Sequence, residues 1–244
     1  MTILPRFLKP VLFQGLNKRK SYFEGWYFKQ SLCHPNGSVI RTLAVIPGIS
    51  WDENGSGHAF IQTIDSLDGS TNYFRFPAES FTFQDTPFHI TIGDNHFSLQ
   101  GIHLDVQDSD TALVGDLSFQ GLTPVKPIMG PYMFVPFMEC NHGLVSMHHR
   151  VEGKITILRK DREGEILNFT PGLGYIEKDW GKSMPSSWIW IHANGFDKTT
   201  APVSFFFSLA KIPWLNKSFN GFISVLHAAG REYRFATYRQ GHID

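Results

Sequence analysis

Carboxylates placed two residues from aromatic rings are the groups in this chain best suited to chemistry. In Tyr22-Phe23-Glu24-Gly25-Trp26-Tyr27, Glu24 and Trp26 alternate, so a strand projects both to one face. If that face is interior, desolvation raises the carboxyl pKa and makes Glu24 a proton donor near neutral pH. The competing arrangement pairs Glu24 with Arg or Lys, or satisfies it with backbone amides. A second segment, Gly174 to Gly181, puts Tyr175, Glu177 and Asp179 on one face and Ile176, Lys178 and Trp180 on the other. Two same-face carboxylates repel when ionised, so one stays protonated unless a cation intervenes. The alternative there is a solvated strand end with Lys178 and Lys182 nearby. In a third segment, Trp188, Trp190, His192 and Asn194 share a face, opposite an aliphatic one of Ile189, Ile191 and Ala193. The first face is a graded wall suited to a ligand with an apolar tail and a polar head, unless the indoles simply fill a wide barrel.

Other chemistries lose their support. No GxSxG, HExxH, CxxC or P-loop occurs, and Gly172-Leu173-Gly174 lacks the third glycine of a dinucleotide fingerprint. Glu139, Cys140, His142, His148 and His149 lie close in sequence. Adjacent His148 and His149 face opposite ways on a strand, so convergence on one metal fails and no metal site is expected.

The elements that must position these groups are strands. The dominant period is two, and turn dipeptides divide the short Val-, Ile-, Phe-, Tyr- and Thr-rich runs. Asn36-Gly37, Asn54-Gly55, Asp68-Gly69, Gly93-Asp94-Asn95, Glu163-Gly164 and Ala228 to Gly230 mark turns between strands, and long helical periodicity is absent. The segment 123–140 carries four prolines, Pro124, Pro127, Pro131 and Pro136, in an apolar run, which suits a linker or a wall between sheets. The expected organisation is all-β: an N-terminal arm at 1–20, then two barrel-like or sandwich-like halves at 21–125 and 126–244.

With 22 basic and 22 acidic residues the formal net charge is zero, which argues against a nucleic-acid binder and against a polybasic membrane anchor. Two cysteines make no disulfide framework, and the order of basic and apolar residues near the N-terminus is not that of a signal peptide. No run is apolar and long enough for a membrane-spanning helix, so a cytoplasmic location is expected. The aromatic share is 14%, with 22 Phe, which suggests a fold that lines something with rings.

The blocks YFEGWYFK (22–29), HAFIQ (58–62), IMGPYMFVPFMECNHGLVSMHH (128–149) and GYIEKDWGKSMPSSWIWIHANGF (174–196) resemble the tocopherol cyclase family, and SLAKIP (208–213) and FNGFISVL (219–226) continue the likeness. The resemblance implies two lipocalin-like β-barrels, akin to carotenoid hydratases, and a bacterial chain without the plant members' transit segment. It also implies that the second barrel is abbreviated or cut short, since little sequence follows strand 231–238. Glu24 and Trp26 match the first block. Glu139 and His142 match the Pro-rich one. Glu177, Asp179, Trp180, Trp188, Trp190 and Asn194 match the long C-terminal one.

The implied activity is a cofactor-free, acid-catalysed cyclisation or isomerisation of a prenylated quinol or similar hydrophobic molecule. Chemistry makes Asp179 and Glu24 the first candidates for the acid, with Glu177 beside them. His142 and Asn194 are candidates for orienting the head group. Trp26, Trp180, Trp188, Trp190 and Glu139 complete the expected substrate wall. A developing tertiary cation is stabilised by ring faces in a site dry enough to deny water the cation. The competing functions are a lipocalin-like carrier without chemistry and a protein whose barrel is merely filled with rings. The expected partner is a hydrophobic small molecule, with at most transient contact to a membrane surface, and the expected assembly is a monomer or homodimer.

Overall fold

The computed structural model describes residues 5–135, 138–196, 202–214 and 217–243; Pro136, one of the four prolines, lies outside them. The described chain is nearly all strand, with helix confined to short 3-10 turns. The strands are β1 (Tyr22–Cys33), β2 (Val39–Trp51), β3 (Gly57–Asp65), β4 (Thr71–Pro77), β5 (Phe81–Asp85), β6 (Phe88–Ile92), β7 (Asn95–Ser98) and β8 (Gly101–Gln107). They continue as β9 (Thr111–Gln120), β10 (Cys140–Arg159), β11 (Arg162–Asn168), β12 (Gly172–Gly181), β13 (Ser187–Ala193), β14 (Ser204–Trp214), β15 (Lys217–Ala228) and β16 (Arg231–Ala236).

Turn chemistry sets the hairpins. At Asp68-Gly69 the glycine takes φ +71°, where a side chain would be strained, and Asp68 Oδ1 accepts from the Ser70 amide at 2.9 Å. β3 and β4 are thereby held as antiparallel neighbours, as β2 and β3 are across Asn54-Gly55. The 12-stranded sheet runs β4-β3-β2-β1-β12-β10-β9-β8-β7-β6-β5, with β11 added to β10. The second sheet runs β13-β14-β15-β16.

One topological feature builds the site. β12 returns from late in the chain and inserts between β1 and β10, so Gly25 and His142 both stand opposite Asp179. The division expected at 125/126 is not a division between the two sheets. β10, β11 and β12 belong to the large sheet, because long-range pairing and not chain order decides which strands share a ladder. The small sheet is what remains of the second half. Within the proline segment, Ile128 and Met129 are buried among residues of both sheets.

The large sheet curls around its own interior. Trp26 of β1 stacks on Phe81 of β5 with centroids 6.2 Å apart, and Phe28 meets Phe97 of β7 at 5.8 Å and Phe119 of β9 at 6.2 Å. A flat sheet would hold these strands far apart. Gly153 (φ +129°) helps the 20-residue strand β10 to bend, since a Cβ there would strike the Asp116 carbonyl. The N-terminal arm closes against this interior: Val11 O accepts from Trp26 Nε1 at 2.8 Å, and Arg6 pairs with Asp85.

The four-stranded sheet packs on the outer face of β1, β10 and β12. Phe206, Ile223, Val225 and Ala236 from the small sheet form one cluster with Leu144, Met147 and Tyr175 from the large one.

A candidate active site between the two sheets

Period two gives β1 two different faces. Tyr22, Glu24, Trp26 and Phe28 point into the filled interior, while Phe23, Gly25 and Tyr27 point to the space between the sheets. On β12, Lys178 points inward, and Tyr175, Glu177 and Asp179 share the outward face. The intervening space is a cavity of about 520 Å³, within the range of small-molecule sites. Tyr27, Phe60, Tyr132, Trp188, Trp190 and Ile212 supply much of its wall, and His142, Glu177 and Asp179 are its ionisable members at neutral pH. Gly25, opposite Asp179, contributes no side chain, so the carboxylate is left accessible from the cavity.

Those three groups form one network. His142 Nδ1 lies 2.6 Å from Asp179 Oδ1, and His142 Nε2 lies 3.4 Å from Glu177 Oε2. Nε2 makes no hydrogen bond among the described residues. Glu177 Oε2 accepts from Tyr175 OH at 2.5 Å and from Trp190 Nε1 at 2.9 Å. Burial drives the His142 imidazole down, but the Asp179 carboxylate and then Glu177 outweigh it and raise the pKa to about 9. Burial likewise pushes the Glu177 carboxyl upward, and Asp179 adds to this; His142 and the two donors pull against it without cancelling it. The two shifts run in one direction: His142 holds its proton beside Asp179, and Glu177 holds a proton more tightly than a free carboxyl does. Because both donors reach Oε2, the proton belongs on Oε1. Burial, then Asp179, raises the Cys140 thiol at the cavity wall, so it stays protonated and a poor nucleophile.

Several expected site residues lie elsewhere. Glu24 is fully buried in the interior of the large sheet, where it pairs with Lys178 and accepts from Tyr22 OH at 2.6 Å and from the Gln14 and Gly15 amides at 2.8 and 2.9 Å. The competing arrangement for Glu24 is the one the fold adopts. Trp26, equally buried, fills the same interior because it shares Glu24's face. Trp180 falls on the far face of β12, near Pro10 of the arm and over Lys178. Asn194 donates to Gly174 O at 2.9 Å, which fastens the end of β13 to β12. Glu139 accepts from Ser183 Oγ at 2.6 Å, outside the cavity wall. His149 packs 4.7 Å from Phe119, away from the trio.

The third segment also divides differently. Trp188 and Trp190 face the cavity, but the Ile189 and Ile191 side is exposed instead of forming a core. Sequence reasoning did not single out Phe23 or Tyr27, and it weighed Cys140 only as a metal ligand. The signal for the first two was present: they occupy the alternate face of the same strand as Glu24.

A family model described as tocopherol cyclase-like matches residues 122–243. That span holds β10 to β16, and with them His142, Glu177, Asp179, Trp188 and Trp190. No curated protein sequence matches the chain. Among solved structures, the crystal structure of CghA with Sch210972 superposes with a TM-score of 0.51 at 12% identity, over 86% of this chain and 59% of that one. At that identity the likeness is one of fold, and the chain spans about three fifths of the length of CghA's. Among the described residues no helix is long and apolar enough to cross a membrane.

Proposed function

The chain belongs to the tocopherol cyclase-like family, and from that premise we propose that it catalyses an acid-promoted ring closure of a hydrophobic, unsaturated small molecule in the cavity between its sheets. The observation that carries the reading is a buried carboxyl with a raised pKa, Glu177, set in a ring-lined cavity beside an imidazolium–carboxylate pair.

Each residue takes a role its surroundings allow. Glu177 gives the Oε1 proton to one alkene carbon of a prenyl-type chain. The positive charge forms on the adjacent, more substituted carbon, facing Tyr27, Trp188 and Trp190, whose ring faces attract cations. The second Asp179 oxygen, at the cavity wall, holds a hydroxyl head group, and the His142 imidazole keeps Asp179 in position. The hydroxyl oxygen attacks the cation, a C–O bond closes, and the hydroxyl proton returns to the carboxylates. Atoms balance with no net redox change, so product and substrate have equal mass. The apolar wall keeps water from capturing the cation.

The test is chromatography coupled to mass spectrometry after incubation with a panel of prenylated quinols. A retention shift at unchanged mass, lost in Glu177→Gln and in Asp179→Asn, supports the reading. Saturable quenching of Trp fluorescence by the same compounds, with no conversion, would assign the cavity to a carrier instead.

A further inference from the structure

The small sheet is apolar on both faces. Its inner face closes the cavity. On its outer face Ile189 pairs with Leu209 and Ile191 with Phe207. Across β14 and β15, Leu209 pairs with Phe222, Phe207 with Ser224 and Phe205 with Leu226. Phe235 and Tyr233 of β16 stand opposite Ser224 and Leu226, so apolar side chains from all four strands surround one buried serine. Ile189 is 54% exposed, Ile191 47%, Tyr233 44% and Phe235 56%. Among the described residues of this face the charges are Lys211, opposite Ser187, and Arg231, opposite Ala228, at opposite ends. The large sheet differs: β8 turns His103, Asp105 and Gln107 outward, the polar alternation of a solvated sheet. The C-terminal turn covers one corner, where Gly241 lies against the Phe222 ring.

We propose that this face is an interface between two copies of the chain, with the small sheets packed face to face. Four strands ~4.8 Å apart and seven residues at ~3.3 Å span roughly 19 by 23 Å. That is about 440 Å² in projection, more once the relief of the side chains is counted, against the ~800 Å² each partner gives a standard interface. A two-fold arrangement sets the uncharged rows of one copy on those of the other, the way sandwich sheets bury apolar faces about 10 Å apart. A lipid surface is the weaker occupant. The chain has no net charge, and a membrane-surface attachment draws on a basic surplus. The inference concerns the opposite side of the small sheet from the cavity and stands independently of the proposed reaction.

The experiment is light scattering on size-exclusion chromatography, and sedimentation equilibrium, of the full chain at micromolar concentrations. The expected mass is twice 27.7 kDa, falling twofold in Phe235→Glu and in Ile191→Lys. Ile166→Lys, an equally drastic change at a 64% exposed position of β11, should leave the dimer intact. Circular dichroism checks that each variant keeps its strands, and Tyr233→Lys reads the same face if one of them does not fold. A monomeric wild type overturns the proposal, as does a dimer that both variants leave untouched. A monomer that floats with phosphatidylcholine–phosphatidylglycerol vesicles, and stops doing so in the same variants, overturns it in favour of a membrane surface.

Discussion

Tyr22-Phe23-Glu24 and Tyr175-Ile176-Glu177 are the same local pattern with opposite outcomes. In each, a tyrosine hydroxyl donates to the glutamate two residues on, at 2.6 and 2.5 Å. Both carboxyls are buried, and β1 and β12 are hydrogen-bonded neighbours. Glu24 faces an interior filled by Trp26 and its ring neighbours, and it is matched by the Lys178 ammonium and two backbone amides. Glu177 faces a cavity, and its nearest cation, His142, is already claimed by Asp179. A buried acid with a full set of partners holds a structure together. A buried acid with a divided partner and open space beside it keeps a proton to give.

The contrast yields predictions that run from large effects to small. Glu177→Gln should lower turnover about 10²–10⁴-fold, the usual worth of a general acid, while the unfolding midpoint in urea changes little. Normal turnover in that variant would end the distinction. Glu24→Gln should do the reverse. It strands the fully buried Lys178 ammonium and should cost about 3–5 kcal/mol in equilibrium unfolding, with ligand quenching intact in whatever remains folded.

The pH dependence of stability separates the two regions again. The folded pKa of His142, about 9, lies above its ordinary value of 6.5. Its charged pairing therefore stabilises the fold fully below about 6.5, and that contribution is lost as pH rises through about 9. The stability difference between wild type and His142→Gln should be widest in the acid part of that window and close on its alkaline side. Lys178, held down to about 8 by burial against the pull of Glu24, contributes in the opposite sense between 8 and its ordinary 10.5. Subtracting the variant's curve removes that contribution.

The smallest effect belongs to Trp190→Phe. It removes one donor to Glu177, costs about 1 kcal/mol of stability, and moves the alkaline limb of the pH–rate profile upward, since that bond lowers the Glu177 pKa.

Much of the fold was legible in the chain. The period of two and the Asn-Gly and Asp-Gly turns state an all-β protein and place the hairpins of β1 to β4, because both signals are local, whereas the turn expected at Glu163-Gly164 falls inside β11. The composition of the face carrying Tyr175, Glu177 and Asp179 was legible too, since alternation follows from strand geometry alone. What lies opposite a face was not. Glu24 and Glu177 carry similar neighbours, and nothing within a few residues of either says which will meet a lysine and which a cavity. The exposed Ile189 and Ile191 teach the same lesson, for an aliphatic stripe states a preference for burial without naming what buries it.

The sequence by itself determined the strands, the turns and which side chains travel together on a face. The tertiary structure decided that β12 inserts between β1 and β10 and that the small sheet lies over their outer side. Those two choices turned one face of β1 into packed core and the other into a cavity wall. The reason is physical: alternation is written every second residue, whereas the partner across a ladder and the layer above a face are set by contacts between segments far apart in the chain.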